Sequence, residues 1–307
     1  TEWWYLTGNL RSENGQHFGY QLTLFRFGLR PGQVQQDSSW RTNQVYMGHL
    51  AISDIAAARH YSTERFARAA AGLAGARLEP FEVWLGPWSM RADRKLSSLI
   101  VSAEHDDIGI WLQLLPGNKR MILQGERGLS RKSATPGNAS FYYSFTRLPT
   151  RGEIRVGDKF YTVEGNSWMD REWSSSALDK DQAGWDWFAL QLDDGREVMY
   201  YQMRNKQGGA HAFSSGKLVE KDGRVHTLLP NQVMLMPSRY WQARDGQRYP
   251  VKWSMQIAEH QLDLVVEAMF DDQLMDHTVR YWEGAVGVRG SHTGKGYLEL
   301  SGYDSRE

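Results

Sequence analysis

The chain contains no cysteine. That excludes disulfides, a thiolate nucleophile and any zinc site built on sulfur. It has no excess of either charge: 36 Lys and Arg face 36 Asp and Glu in 307 residues. A nucleic-acid binder needs a basic footprint, and attachment to an anionic membrane surface needs a polybasic arm, so neither partner is expected. No apolar run approaches the roughly 18 residues of a membrane-spanning helix. Familiar catalytic motifs are missing as well: there is no G-x-S-x-G elbow, no H-E-x-x-H zinc helix and no Walker loop. Gly284, Gly287 and Gly290 recur at the wrong spacing for a dinucleotide fingerprint, in surroundings that read as strand. The nine histidines are scattered, with no pair at helical metal-ligand spacing. His49, His105, His260 and His277 therefore read as surface or structural groups, and neither metal nor cofactor is expected. No signal peptide is visible. The sequence opens, however, on Thr1-Glu2-Trp3-Trp4-Tyr5, which reads as the inside of a strand. The expectation is that a leader precedes this point, with an exported, periplasmic or cell-envelope location.

What the sequence has in abundance is aromatic rings: 13 Trp, 14 Tyr and 11 Phe. Rings favour strands, so they fit a β-rich core; they equally fit an aromatic-lined ligand cavity. Alternation points to strands in many places, as in Tyr20 to Leu24, Leu262 to Phe270, and Ile108 to Leu115, where Ile108, Ile110, Leu112 and Leu114 share one side. Glu13-Asn14-Gly15, Asp193-Asp194-Gly195, Lys221-Asp222-Gly223 and Arg244-Asp245-Gly246 are hairpin signals. Many short strands joined by hairpins predict antiparallel barrels or sandwiches. Residues 56–76 are rich in Ala and read as a crossing loop with one or two helical turns near Ser62 or Thr63.

The length suits two domains of about 150 residues, and the chain repeats itself. Trp3-Trp4-Tyr5-Leu6 resembles Trp185-Asp186-Trp187-Phe188, and in each half a turn glycine, Gly15 or Gly195, then leads into a strand. Val83 to Pro87 resembles Val233 to Pro237. Tyr142-Tyr143 followed by Tyr161 to Gly165 resembles Tyr281-Trp282 followed by Tyr297 to Gly302. Three pairs in one order imply an internal duplication. The linker-like stretch Ser174 to Gln182 places the boundary between domains 1–176 and 177–307.

Three constellations interleave carboxylates with tryptophans: Glu2-Trp3-Trp4-Tyr5, Trp168-Met169-Asp170-Arg171-Glu172-Trp173 and Trp185-Asp186-Trp187. On a strand, Trp168, Asp170 and Glu172 share one side, while Met169, Arg171 and Trp173 share the other. Trp185 and Trp187 share a side opposite Asp186. A buried carboxyl beside ring faces can protonate an alkene, and rings can shield the resulting cation while water adds. The same residues also fit a structural role, with Asp170 or Glu172 paired to an arginine and the tryptophans in the core.

These residues resemble the AttH-like and carotenoid 1,2-hydratase-like family. Glu2-Trp3-Trp4-Tyr5 is similar to its opening signature, and Trp168 to Trp173 to its central Trp-Met-Asp-His-Glu-Trp motif. Gly184-Trp185-Asp186-Trp187-Phe188 and Tyr281-Trp282-Glu283-Gly284 match two further blocks, the last followed by Gly296-Tyr297-Leu298-Glu299-Leu300. The resemblance runs from residue 2 to about 303. It implies an all-β chain of two consecutive lipocalin-like antiparallel β-barrel domains. It also implies a hydrophobic small-molecule ligand, such as an isoprenoid, polyene or lipid. The family's hydratases pair a His and a Trp in the central motif with a later Tyr-x-Asp. Here Arg171 stands at the His, Trp173 and Tyr201 are kept, and Met203 stands at the acid. Methionine cannot protonate an alkene, so catalysis would fall to Asp170, Glu172 or Asp186. The expected ligand-binding residues are Trp3, Trp4, Tyr5, Trp168, Arg171, Trp173, Trp185, Trp187, Tyr201 and Trp282. Three functions are compatible with this pattern: binding or carriage of the ligand, with an envelope-export or transporter-linked partner; a hydratase-like lyase or a hydrolase; and a rigid interaction platform.

Overall fold

In the computed structural model, residues 1–30, 38–93, 95, 97–117, 121–174 and 178–303 are described. Strands account for 66% of the described residues. The only helical element among the described residues is a three-residue 3-10 turn, Ala258–His260, so the period-two patterns carry the fold. None of the described helices is long and apolar enough to cross a membrane.

The first sheet begins with β1 (Glu2–Ser12), β2 (His17–Gly28), β3 (Gln44–Asp54) and β4 (Arg59–Arg68). It continues through β5 (Ala74–Leu78), β6 (Phe81–Leu85), β7 (Trp88–Ala92), β8 (Leu99–His105) and β9 (Ile108–Leu114). Short β10 (Ile122–Leu123) and β11 (Leu129–Arg131) precede the long β12 (Ala139–Val156) and β13 (Lys159–Ser174). Its order is β4-β3-β2-β1-β13-β12-β9-β8-β7-β6-β5, with β10 and β11 on β12. The second sheet holds β14 (Gln182–Leu192), β15 (Glu197–Asn205), β16 (Ser215–Val219), β17 (Val225–Leu228) and β18 (Met234–Gln242). It closes with β19 (Arg248–Ile257), β20 (Leu262–Ala268), β21 (Leu274–Asp276), β22 (Arg280–Gly290) and β23 (Gly294–Ser301). Its order is β17-β16-β15-β14-β23-β22-β20-β19-β18, with β21 on β22. The two sheets curl into a barrel and a half-barrel, consistent with two lipocalin-like barrel domains.

The duplication is visible in the strand order. In each sheet the first strand lies between the second and the last: β1 between β2 and β13, β14 between β15 and β23. The repeats around Trp3 and Trp185, and around Tyr142 and Tyr281, fall on strands equivalent by this order. Val83 and Val233 do not. Val83 is on β6 and the second segment runs into β18, whose place in the sheet matches β7. A short apolar run followed by proline is too common a strand pattern to fix that register.

The helical turns expected within 56–76 are absent. Tyr61 to Phe66 supply ring and β-branched residues, and they lie in β4, at the edge of the sheet. The alanines mark the turns at its two ends, where Ala58 and Ala71 take positive φ of 48°. Arg59, Glu64, Arg65 and Arg68 suit an edge strand, since charge discourages further pairing. Hairpins form where Asp-Gly signals them, with Gly195 and Gly223 at φ of 95° and 86°.

Two compact units emerge, the first comprising 1–52, 61–119 and 147–173, the second 53–60, 120–146 and 174–307. The expected boundary between residues 176 and 177 lies outside the described residues. In the first unit, cross-strand register puts Leu6 beside Leu22 and Met169, and Leu10 beside Phe18. All are buried, so this face of β13-β1-β2 is core. In the second unit, Phe188, Leu190, Tyr200, Trp253, Trp282, Val286 and Leu298 belong to one large buried cluster.

Candidate functional site

The face of β13, β1 and β2 opposite that core is buried without being apolar. Directly paired residues share a face, and register defines three rows. Glu172 lies beside Trp3 and then Phe25; Asp170 beside Tyr5 and then Thr23; Trp168 beside Thr7 and then Gln21. Asp170 is 3% exposed and Glu172 6%, and Thr7, Gln21 and Thr23 are buried as well. Within this grid the Trp168 indole N–H donates to Asp170 Oδ1 at 2.7 Å, and Gln21 Nε2 donates to Thr23 Oγ1 at 2.5 Å. Phe25 packs edge-on against the buried His49 ring at 5.5 Å, and His49 Nε2 lies 2.9 Å from Glu64 Oε1. The alternation expected for Trp168, Asp170 and Glu172 is therefore present, and it brings both acids together with Trp3 and Tyr5.

Arg171 and Trp173 go to the other face, at the end of the first unit's core rows. Arg171 and Arg26 both form ion pairs with Glu2. The Arg171 guanidinium carbon lies 4.1 Å from the Trp4 ring centre and 5.0 Å from that of Trp173. Glu2 is thus a carboxylate partner of Arg171. Trp173 is 38% exposed, while Trp4 is buried.

The second unit repeats the arrangement with different residues. Trp187 pairs with Tyr201 on β15 and Glu299 on β23, and Glu299 pairs with Glu283 on β22. The Trp185 indole donates to Glu299 Oε1 at 2.7 Å, matching the Trp168 bond to Asp170. Residues 120–146 join this face. Trp187 Nε1 donates to the Tyr142 hydroxyl at 3.1 Å, and the Tyr201 hydroxyl bonds Ser130 at 2.9 Å. The Lys132 ammonium sits 4.3 Å from the Tyr201 ring centre and 5.3 Å from that of Tyr142. Lys217, one row along beside Met199, donates to Gly125 O and Thr227, and burial lowers its pKa. Met203 is buried beside Trp185.

Asp186 faces the core instead, as the alternation predicted for a residue opposite Trp185 and Trp187. It is fully buried, ion-paired to Arg204, and accepts hydrogen bonds from Tyr303 at 2.8 Å and Gln202 at 3.4 Å. Burial pushes its carboxyl up; Arg204, Tyr303 and Gln202 pull against that, and the net direction is upward. Trp282 is in the core cluster, its indole donating to Asp271 O at 2.7 Å.

Glu299, Ser130, Tyr142 and Lys132 escaped the sequence reading. Glu299 had a signal: between Leu298 and Leu300, alternation turns it away from the core, and the pairing of β23 with β14 makes that the face of Trp187. Ser130, Tyr142 and Lys132 had none, because their contacts with Tyr201 and Trp187 are fixed by tertiary packing across 45 to 71 residues. Chemically, each unit offers rings that can cover an apolar chain and an indole-anchored carboxylate that can bond, orient or exchange a proton with a polar group.

The comparisons with known proteins agree with this architecture. The AttH-like family profile matches residues 1–303. The AttH protein NE1406 of Nitrosomonas europaea has a crystal structure that matches at TM-score 0.86 and 32% identity, covering 98% of this chain and 92% of that one. Kievitone hydratase from Nectria haematococca matches at TM-score 0.76 and 13% identity, covering 98% of this chain and 90% of that one. CghA with Sch210972 matches at TM-score 0.61 and 11% identity, covering 99% and 89%. The last two show likeness of fold. No curated protein matches by sequence. The profile spans both sheets, and the likeness to NE1406 extends over nearly the whole of both chains: this chain belongs to the AttH-like family.

Proposed function

We propose that this protein binds, and carries, an apolar small molecule such as an isoprenoid, polyene or lipid against the rows of β13, β1 and β2. The observation behind this is the composition of that face. Asp170, Glu172, Thr7, Thr23 and Gln21 are buried among Trp3, Tyr5 and Trp168, on rows the apolar core does not occupy. Burying carboxylates costs free energy that packing alone does not require; the opposite face is built on Leu6, Leu10 and Leu22, with the buried hydroxyls of Tyr20, Ser167 and Thr150 bonded to one another. Rings supply contact area for a ligand, and a few convergent polar groups fix its orientation. The test is a titration of tryptophan emission with a polyene and with a fatty acid. A saturable change is expected. Asp170→Asn should weaken it about 10-fold, and Trp168→Phe should shrink its amplitude. Silence toward every apolar ligand would overturn the proposal.

A second reading is a hydratase-like reaction, favoured by both acids of this face being buried beside rings while Arg171 is engaged by Glu2. Asp170 or Glu172 would give a proton to one alkene carbon. Water would add to the other, then return a proton to the carboxylate. The fold likeness to kievitone hydratase supports this reading and does not specify a substrate. Incubation with polyenes in 18O-water tests it: label in the product, lost in Asp170→Asn/Glu172→Gln, is expected, and its absence would leave binding alone. A cell-envelope location belongs to the same proposal, and fractionation of the native host should find the protein there.

A further inference from the structure

Three ligand-type side chains outside these faces converge in the second unit. Glu220 directly follows β16 and opens the turn to β17, held by Glu220 N–H to Arg224 O and Gly223 N–H to Glu220 O, both 2.8 Å. His226 lies on β17, and His260 ends the 3-10 turn between β19 and β20. His226 Nε2 is 3.6 Å and His260 Nδ1 3.9 Å from the same oxygen, Glu220 Oε1. The imidazole rings are 4.6 Å apart, tilted by 55°. One ligand atom from each of the three lies within 4.8 Å of the others.

We infer that Glu220, His226 and His260 form a binding site for a divalent transition metal of the zinc type. The geometry carries this. Metal–ligand bonds of about 2.0–2.2 Å in a tetrahedron put ligand atoms roughly 3.3–3.5 Å apart, so separations that all lie within 4.8 Å must shorten by at most roughly 1.5 Å to close on an ion. Two imidazoles and one carboxylate suit zinc, cobalt, nickel or copper rather than calcium or magnesium. All three side chains are only partly buried, which leaves access for the ion and a fourth position for water. Nearby charge is already engaged: Arg196 pairs with Asp194 while donating to His260 O, and Gln232 holds Glu259. Because Glu220 and His226 come from the β16–β17 hairpin and His260 from the β19–β20 connection, an ion would clip together two segments 34 residues apart in sequence, from His226 to His260.

Calorimetric titration of tag-free protein with zinc tests this, together with cobalt absorption as a sign of four-coordinate geometry. One site of micromolar or tighter affinity is expected, with a rise in melting temperature on zinc addition. His226→Ala, His260→Ala and Glu220→Gln should each weaken zinc at least about 10-fold. His105→Ala, a histidine of the first unit and outside the trio, should not. Each variant's metal-free melt is compared with the parent's, and Glu220→Gln, nearly the same shape, serves if a histidine variant unfolds. No zinc binding below about millimolar, or binding unchanged in these variants, would overturn the inference.

Discussion

Asp186 shows how much one side chain's role depends on a distant partner. Its carboxyl is fully buried on the core side of β14, and Arg204 is what makes that tolerable. Removing one member of a buried pair leaves an uncompensated charge, costing roughly 3 kcal/mol. Arg204→Met should lose about that much in urea unfolding, and adding Asp186→Leu should restore most of it. His60 gives a pH prediction. Gln273 spends its amide N–H groups on Phe270 O and Ala285 O, so its oxygen faces Ser53. The Ser53 hydroxyl donates to that oxygen and so accepts from His60 Nδ1–H at 2.9 Å. His60 Nε2 is buried with no hydrogen-bond partner, and burial, aided by His277, pushes the pKa down to about 3, which keeps the ring neutral. A folded pKa below the unfolded value of about 6.5 means the contribution is complete above pH 6.5 and falls away as pH drops toward 3. Between pH 7.5 and 5 the parent should lose more stability than His60→Gln; equal losses would refute the assignment.

At the scale of elements, alternation made much legible. The sides of Trp168, Asp170, Glu172 and Asp186 follow from a period of two, a local property. What a strand's neighbour contributes is not local. Glu2 meets Arg171 because β1 pairs with β13, 169 residues on, and no composition signal announces that. The same holds for His226 and His260, which share no sequence spacing that metal motifs use. The alanines near residue 57 misled because helix propensity is a weak prior that sheet pairing overrides. Gly284 in the Tyr-Trp-Glu-Gly block illustrates a residue whose reason only packing reveals. A Cβ there would lie 2.3 Å from the Gln273 side chain, which is fully buried and hydrogen-bonded to the Ala285 backbone. Gly284→Ala should cost about 1–3 kcal/mol in chemical unfolding, and Gln273→Ala, itself costly, should make the glycine substitution milder.

For the whole molecule, the fold class and the duplication were readable because they rest on many repeated local patterns, whereas the sites rest on few residues brought together from far apart. Closure of each sheet depends on its last strand. β23 pairs with both β14 and β22, so a chain ending at Gly290 should lose much of its calorimetric unfolding enthalpy; an enthalpy equal to the parent's would show that β23 is dispensable. The same topology has a consequence for how such a chain can arise. Glu2 stands opposite Trp173, and Trp185 opposite Ser301. Each sheet therefore begins and ends at one place. A module whose ends already meet can be copied head to tail with a short joint and no rethreading, which leaves one copy free to change its buried acids while the other keeps them.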